Sequence, residues 1–421
     1  MSGVLQAVIQ NFRSFGAGVW IGLLGGSSSA DVGTGVGFDS SGNVYVFGLS
    51  NASGFDDFEI AKYNASGSIQ WQRKLGNSTG NSSRKCAVDS SGNVYFSGFS
   101  SALQGQIGKY DSSGTIQWQR SLSGSGFTFI TSIAVSSSNV YICGQSSASG
   151  TNDILVAKYN SSGAIQWQKT LDDGVGQSAN SIALDSSENV YVCGSSNVGG
   201  ANDIQIAKFN SSGSIQWQRT LGGALSQTGQ AITVDSSGNL YICGNSLGGF
   251  QLAKYNTSGT IQWQQSLSSL DIASSASITV DSSGNSYACG QINISNDYAL
   301  LAKYNSSGTI QWQRTIGNGT DPTTSRAIAV DASNNIYLCG SFSVSGTNDF
   351  LIAKLPDDGS KTGTYTVGGN TIIYAASSLT DATSTLTDAA STLTDATSTL
   401  TDAATTLTDS ASTLTSSVTT L

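Results

Sequence analysis

Seven tryptophans divide most of this 421-residue chain into units of nearly equal length. Neighbouring tryptophans are 46 to 51 residues apart, at Trp20, Trp71, Trp118, Trp167, Trp217, Trp263 and Trp312. Two other motifs also occur seven times, a turn sequence of the type Asp-Ser-Ser-Gly-Asn and a sequence of the type Ala-Lys-Tyr-Asn. The turn motif begins at Asp39, Asp89, Ser136, Asp185, Asp235, Asp281 and Asp331, and the lysines are Lys62, Lys109, Lys158, Lys208, Lys254, Lys303 and Lys354. A repeat of about 40–50 residues with strand-like content is typical of β-propeller blades.

Each unit contains four strand-like segments. In one unit these are residues 132–135, 140–143, 153–159 and 165–168, which are short runs rich in β-branched and aromatic side chains. Gly, Asn and Ser separate the runs, as expected for turns and hairpins. Four antiparallel strands in each of seven units predict an all-β fold, a seven-bladed β-propeller whose neighbouring blades pack face to face.

The seventh unit lacks a fourth strand of its own. Its first three strands are predicted at 327–331, 335–340 and 348–354, but no Ile-Gln-Trp-Gln sequence follows them. An unassigned copy precedes the first unit, so we predict that residues 19–23 supply the missing strand, with Trp20 in the shared position. The predicted organisation is then an N-terminal arm (1–17), a propeller (18–354), a connector (355–377) and a C-terminal segment (378–421).

The C-terminal segment has an unbroken period of seven residues. Leucine recurs at Leu379, Leu386, Leu393, Leu400, Leu407, Leu414 and Leu421. Ala or Ser stands three positions after each of the first six, as in the a and d positions of a coiled coil. The segment contains sixteen threonines, which oppose a lone helix by on the order of 10 kcal/mol. We therefore predict an α-helical stalk that associates with other copies, as a homotrimer by analogy with fibres, and keep a disordered extension as the alternative.

Composition excludes several classes of function. Histidine is absent, which removes the commonest general base and the commonest metal ligand. Only 18 Lys and Arg accompany 27 acidic residues, so a phosphate-binding surface for nucleic acid is not expected. No apolar run reaches the roughly 18 residues of a membrane span, and the first residues lack a secretory signal pattern. We expect no metal, no cofactor and synthesis in the cytoplasm.

The cysteines and the Asp-rich turns are interpreted as framework. Five cysteines share one strand position in five units, and a sixth stands apart; they are Cys143, Cys193, Cys243, Cys289, Cys339 and Cys86. A disulfide needs Cα atoms within about 7 Å, so equivalent positions on separate blades predict free, buried thiols. The turns resemble calcium loops only in part, because the EF-hand order of ligands is missing. An Asp that caps its own turn, with Gly at positive φ, explains them.

The two faces of the predicted disc differ. The turns on one face are nearly constant, whereas the loops on the opposite face vary between blades. Because variable loops on a rigid scaffold commonly carry binding sites, the non-repeating aromatic and charged residues there are candidate ligand contacts. They are Arg84, Lys85, Phe127, Phe129, Asp172, Asp173, Asp321 and Arg326. We nominate no catalytic residue.

The two repeated sequences, Val-Asp-Ser-Ser-Gly-Asn-Val-Tyr-Val-x-Gly and Ala-Lys-Tyr-Asn-Ser-Ser-Gly-x-Ile-Gln-Trp-Gln-Arg, resemble the bacterial and phage β-propeller repeat family over about residues 18–354. The segment that follows resembles the ends of propeller-bearing virion proteins of tailed phages of aquatic bacteria. This resemblance implies a virion structural protein, a tail or head fibre subunit, that contacts other virion proteins and attaches to a host-surface glycan or protein.

Two other classes stay open. One is a bacterial adhesin or matrix module at the cell surface. The other is a propeller glycosidase, which needs two carboxylates about 5–9.5 Å apart in a cleft. We expect a binding protein, not an enzyme, because the acidic loop residues suggest no pair.

Overall fold

The structure, a computed structural model, consists of seven antiparallel sheets. It describes residues 19–25, 30–51, 54–76, 80–172, 174–197, 200–246, 249–268, 273–294, 296–344, 346–377, 379–383, 387–390, 394–397, 401–404, 408–411 and 415–420. The first strands of neighbouring sheets contact one another around a closed ring. The predicted seven-bladed all-β propeller with four-stranded antiparallel blades is therefore confirmed. None of the described residues is helical.

Each blade contributes one strand to each of four layers, counted from the centre outward. The first strands are β2 (Asp31–Phe38), β6 (Asn81–Val88), β10 (Thr128–Val135), β14 (Gln177–Leu184), β18 (Gln227–Val234), β22 (Ala273–Val280) and β26 (Thr323–Val330). The second strands are β3 (Val44–Ser50), β7 (Val94–Ser100), β11 (Asn139–Ser146), β15 (Val190–Ser196), β19 (Leu240–Ser246), β23 (Ser286–Ile294) and β27 (Ile336–Val344). The third strands are β4 (Asp57–Tyr63), β8 (Gly105–Tyr110), β12 (Asp153–Asn160), β16 (Asp203–Phe209), β20 (Gly249–Tyr255), β24 (Asn296–Tyr304) and β28 (Thr347–Leu355). The fourth strands are β5 (Ile69–Gly76), β9 (Ile116–Ser123), β13 (Ile165–Asp172), β17 (Ile215–Gly222), β21 (Ile261–Ser268), β25 (Ile310–Gly317) and β1 (Trp20–Gly25).

The hydrophobic core lies between the blades. Most side chains of the second and third strands are buried, because neighbouring blades cover both faces of each sheet. Phe47 and Phe58 of the first blade, for example, pack against Phe96 and Tyr110 of the second, and the ring centroids of Phe47 and Phe96 are 5.7 Å apart. Nearly continuous apolar runs are typical of strands buried on both faces.

The repeated tryptophans join each blade to the next. Each of the seven indole N–H groups donates to a main-chain carbonyl in a turn of the following blade, at 2.9 to 3.3 Å. The acceptors belong to Ala65, Ser112, Ser161, Ser211, Thr257, Ser306 and Asp357. A glycine of the same turn lies against the indole, because a Cβ on Gly114, with φ +80°, would come within 2.9 Å of the Trp71 ring. This contact between blades, which we call the joint, therefore requires both a tryptophan in one blade and a glycine in the turn of the next.

Strand β1 closes the ring. It pairs with β28 in the register Trp20↔Lys354, which matches the pairing of Trp71 with Lys62 in the first blade. Trp20 is buried, and its indole donates to Ala65 of the first blade. The arrangement agrees with the clasp predicted for residues 19–23.

The tail residues form strands where the sequence predicts a helix. After β29 (Gly363–Val367), which pairs with β30 (Asn370–Ala376), six short strands follow: β31 (Thr380–Thr383), β32 (Thr387–Ala390), β33 (Thr394–Thr397), β34 (Thr401–Ala404), β35 (Thr408–Ala411) and β36 (Thr415–Thr420). Strands β30 to β36 each add an outer strand to a different blade. The described parts of 378–421 thus contain strands and no helix, and the predicted helical stalk is not confirmed.

Two physical effects favour strands in the tail. Threonine is β-branched and prefers extended backbone, and the outer edge of each blade offers unpaired N–H and C=O groups. Of the leucines predicted to form a helical seam, Leu379 is buried. The other six, Leu386, Leu393, Leu400, Leu407, Leu414 and Leu421, lie outside the described residues.

The Asp-rich turns are closed by their own hydrogen bonds. Asp39 accepts main-chain N–H bonds from Ser41 and Asn43, and side-chain bonds from Asn43 and Tyr45. Burial raises the pKa of Asp39, but these hydrogen bonds outweigh that effect and lower the pKa below its ordinary value. Turn formation therefore accounts for the carboxylate without a bound calcium ion.

The third blade replaces this aspartate in an unexpected way. It has Ser136 at the equivalent position, and Glu188 from the fourth blade supplies the carboxylate. Glu188 Oε2 accepts from the Tyr141 hydroxyl at 2.6 Å and from the Asn139 amide at 3.0 Å, and it lies 3.4 Å from Lys158 Nζ. Glu188 adopts φ 57°, at a turn position where four blades have glycine and the seventh has Asn334, also at positive φ. One residue thus completes the turn of its neighbour.

The closing strand generates the first prediction. Trp20→Ala removes a buried indole at the ring junction, and we expect it to lower the free energy of unfolding by about 3–5 kcal/mol. Trp20→Phe keeps most of the buried ring and loses one hydrogen bond, so its expected cost is about 1 kcal/mol. Urea unfolding followed by circular dichroism measures both. Equal stability of Trp20→Ala and the parent protein would contradict the clasp.

The Glu188 contact generates the second prediction. Burial raises the pKa of Glu188, but hydrogen bonds from Ser136, Tyr141 and Asn139 and the charge of Lys158 lower it to about 2. A carboxylate with a lowered folded-state pKa stabilises the protein above its unfolded pKa, and that stability is lost as the pH falls from about 4.5 towards 2.

We therefore expect Glu188→Gln to cost about 1 kcal/mol at pH 7 and nothing below the folded-state pKa. Adding Ser136→Asp restores the carboxylate of the other blades and is expected to recover most of the loss. Thermal unfolding of the two single variants and the double variant measures the coupling. Additive effects in this cycle would mean that Glu188 does not stand in for the missing aspartate.

Candidate functional site

A ring of seven β-bulges lines the centre of the propeller. Each first strand contains a register shift that leaves one residue between two paired ones. The bulged residues are Thr34, Arg84, Thr131, Asn180, Gln230, Ala276 and Arg326. A bulge redirects its side chain, and all seven residues line one cavity of about 250 Å³, which we call the central channel.

The neutral bulge residues join neighbouring blades. Thr34 Oγ1 lies 3.0 Å from Ser83 Oγ of the second blade. Thr131 donates to the carbonyl of Ala179 at 2.6 Å, and Asn180 donates to the carbonyl of Gly229 at 2.8 Å. These positions have a structural role in closing the channel wall.

Three positive charges converge on one side of the channel. Arg84 and Lys85 come from the second blade and Arg326 from the seventh, which flank the first blade. Lys85 Nζ donates to the main-chain carbonyl of Arg326 at 2.8 Å. No carboxylate lines the channel, and none of the described residues forms an ion pair with these three cations. The sequence predicts all three as ligand contacts, and the structure brings them together.

The three cations carry an electrostatic cost, although only Lys85 is half-buried and the side chains of Arg84 and Arg326 are exposed. Desolvation lowers the pKa of Lys85, and it lowers the pKa of Arg84 with a further contribution from the positive charge of Arg326. Like charges that share a partly buried site without counter-ions disfavour their own protonated forms. Such an arrangement favours binding of an anion, and perturbed groups of this kind are typical of functional sites.

An aromatic ladder continues from the cations towards the variable loops. The guanidinium of Arg84 lies 4.9 Å from the ring centroid of Phe99. Phe99 is 4.2 Å from Phe129, and Phe129 is stacked on Phe127 at 4.6 Å. The three rings are partly exposed. The candidates Arg84, Phe127 and Phe129 therefore form one continuous surface through Phe99, which the sequence analysis missed.

A comparison of the blades could have found Phe99. At this position of the second strand the other blades have Leu49, Gln145, Ser195, Asn245, Gln291 and Ser341. An aromatic ring in only one blade marks a departure from the repeat.

The acidic candidates lie elsewhere. Asp172 accepts the main-chain N–H of Gly174 at 2.7 Å, and Asp321 accepts from the side chain of Asn318 at 2.8 Å. Both close their own loops, and neither lines the central channel. Asp173 lies outside the described residues.

No described group suggests metal or thiol chemistry. The described residues contain no cluster of three or more His, Cys, Asp or Glu that could hold a metal ion. The six cysteines are free, and burial raises the pKa of Cys143 to about 12, so its thiol is neutral at physiological pH. A shallower hollow of about 690 Å³ beside Trp118 is lined by the repeated Trp, Gln and Lys positions and belongs to the framework.

The fold and the site together define the class of this protein: a seven-bladed propeller built from tandem repeats, with a cationic channel at its centre. By sequence the chain matches a family described as outer membrane protein assembly factor BamB over residues 56–245, 103–338 and 202–409, and it matches a β-propeller repeat over residues 19–56. The first of these matches covers more than half of the chain, so the chain belongs to the family of that description. No curated protein shows a significant match to the chain.

Solved structures resemble the chain in fold alone. A puromycin hydrolase has a TM-score of 0.49 and 13% identity, over 81% of this chain and 57% of that one. A puromycin hydrolase mutant complexed with PGG has a TM-score of 0.50 and 13% identity, over 82% and 58%. A protein of unknown function from Dyadobacter fermentans has a TM-score of 0.48 and 7% identity, over 80% and 98%. The chain thus spans less than two thirds of the puromycin hydrolases. Among the described residues no helix is long and apolar enough to cross a membrane.

The effect of the cationic cluster on the free energy of unfolding is testable at Lys85. A lysine with a lowered folded-state pKa binds its proton more weakly in the folded protein, so its charge opposes folding below the unfolded value of 10.5. We expect Lys85→Met to be more stable than the parent by up to about 1 kcal/mol at pH 7, with the difference shrinking as the pH rises from the lowered folded-state pKa towards 10.5 and absent above it. Thermal unfolding between pH 7 and 11 measures this, with Lys361→Met, at an exposed lysine, as the control. A pH-independent loss of stability would contradict the interpretation.

Proposed function

We propose that this protein is a surface-attachment protein, a virion appendage of the tail or head fibre type, whose propeller binds an acidic glycan at the mouth of the central channel. The observation that carries the proposal is the joint position of Arg84, Lys85 and Arg326 beside the Phe99–Phe129–Phe127 ladder. The tryptophan hydrogen bonds of the framework recur in all seven blades, whereas the part of the chain that the structure describes has this surface at one place.

The chemistry of the surface favours a carboxylated or sulfated sugar. Guanidinium groups bind carboxylate or sulfate oxygens through paired hydrogen bonds. Partly exposed aromatic faces carry a negative quadrupole, which attracts the polarised C–H groups of a sugar ring. A neutral glycan would leave the cations unpaired, and a nucleic acid would be repelled by the net charge of −9 on the whole chain.

The virion location rests on the resemblance of the repeats and of the following segment to phage propeller proteins. The same binding surface suits a bacterial adhesin or matrix module, which differs in location and not in ligand chemistry. A glycosidase is less well supported. Asp153 and Asp172 do approach each other through Thr151, but neither lines the channel.

Binding of acidic glycans is the fourth prediction. On an array that includes uronic-acid, sialylated and sulfated sugars with neutral counterparts, we expect retention of acidic members only. Arg84→Gln and Arg326→Gln should each weaken binding by about tenfold or more, the loss expected of one charge-assisted contact. Phe129→Leu should weaken it without changing the salt dependence.

Controls separate the site from general charge effects. Lys361→Gln removes one exposed positive charge and should leave binding unchanged. Equal binding by the parent and the Arg84→Gln/Arg326→Gln variant, or selection of a protein receptor alone, would overturn the glycan proposal. Mass spectrometry of purified phage particles from the source then tests the virion location, and detection only on bacterial cell surfaces would favour the adhesin.

A further inference from the structure

The tail strands follow the outer rim of the propeller one blade at a time. Strand β30 pairs with the sixth blade, and β31 to β35 pair with the fifth, fourth, third, second and first blades in that order. Strand β36 then pairs with β1 in the seventh blade. The tail therefore pairs with all seven blades in turn around the ring, from the sixth down to the first and then with the seventh.

The seven-residue period of the tail matches this path. The six strands after β30 begin every seven residues, at Thr380, Thr387, Thr394, Thr401, Thr408 and Thr415. Equivalent residues of successive heptads occupy equivalent registers, as in the pairs Ala382↔Ser266, Ala389↔Thr220 and Ala396↔Thr170. One heptad thus corresponds to one step from a blade to the next. Seven fully extended residues span at most about 23 Å.

A glutamine side chain holds the tail where it passes from one blade to the next. Gln313 Nε2 donates to the carbonyl of Leu379 at 2.9 Å, and Gln313 Oε1 accepts the N–H of Leu379 at 3.1 Å. Leu379 also packs into the hydrophobic cluster between the fifth and sixth blades. The glutamine after the tryptophan recurs in every blade but the seventh, as Gln72, Gln119, Gln168, Gln218, Gln264 and Gln313. In the seventh blade Ile21 takes its place.

We propose that the outer rim is a seven-site acceptor for β-strands and that its occupant is the chain's own tail, 370–421, bound as a belt. Gln313 makes both hydrogen bonds to the backbone of Leu379, and we assign the same role to the glutamines at this position of five other blades. The belt satisfies the N–H and C=O groups of the outer edges, which would otherwise pair with other copies. The segment that the outer rim binds is an extended, threonine-rich heptad sequence. This binding does not depend on the channel site.

Hydrogen exchange of the full-length protein tests the belt directly. We expect the paired amides of 380–420 to exchange about 100-fold more slowly than in the isolated tail peptide. Replacing Ala382, Ala389, Ala396 and Ala403 with Pro should abolish that protection and speed exchange in the fourth strands of the same blades. Replacing the same four with Val, which favours strands and disfavours helices, should leave protection unchanged or higher. Unaltered exchange in the fourth strands of the Pro variant would overturn the proposal.

A second experiment tests the acceptor itself. A protein ending at Ser377 keeps the β1–β28 closure, and circular dichroism checks that it folds. It should bind a labelled peptide of residues 379–420 at least about tenfold more tightly than the full-length protein, whose rim is occupied. The Pro peptide is the matched control. Failure of the folded truncated protein to bind, or a helical, concentration-dependent trimer of the tail, would contradict the belt, and neither result bears on glycan binding.

Discussion

The hydrogen bond from a tryptophan indole to a turn carbonyl of the next blade is the contact on which the ring depends. It occurs at all seven joints, and it fixes both the spacing and the facing direction of adjacent sheets. In four blades an arginine two residues later donates to the glycine carbonyl of the same turn, as Arg73 does to Gly114 at 2.8 Å. Each repeat contains both a tryptophan that donates to the next blade and a turn carbonyl that accepts from the previous blade. Each repeat therefore contributes one side of two interfaces.

Much of this architecture could be predicted from the sequence. Three motifs with the same count gave the number of blades, and the orphan tryptophan Trp20 identified the strand that completes the seventh. These predictions succeed because a repeat reports the same environment many times, so that one ambiguous segment is corrected by the others. Phe99 escaped notice for the opposite reason. A single departure within a repeat is visible only when the blades are aligned residue by residue.

The tail shows that one sequence period can be compatible with two different structures. Heptads of leucine with small residues fit a coiled coil, but seven leucines also equal the number of blades. The sixteen threonines disfavoured a helix from the start, and only the structure shows the sheet edges that accept an extended chain. The channel was equally hidden. Arg84 and Arg326 are far apart in sequence, and the bulges that turn both inward become visible only once the strands are paired.

The pairing of β1 with β36 joins residues at opposite extremes of the described chain, since Trp20 lies opposite Thr420. Contacts of such sequence separation carry a large loop-closure entropy and form late in folding. Strand β1 must first dock on β28 before β36 has an edge to join. The seventh blade therefore combines three separate parts of the chain: β26–β28, the strand β1 and the last strand of the tail. Because β36 pairs with β1 and β1 with β28, both extremes of the described chain are held in one sheet, and release of β1 would release β36 as well.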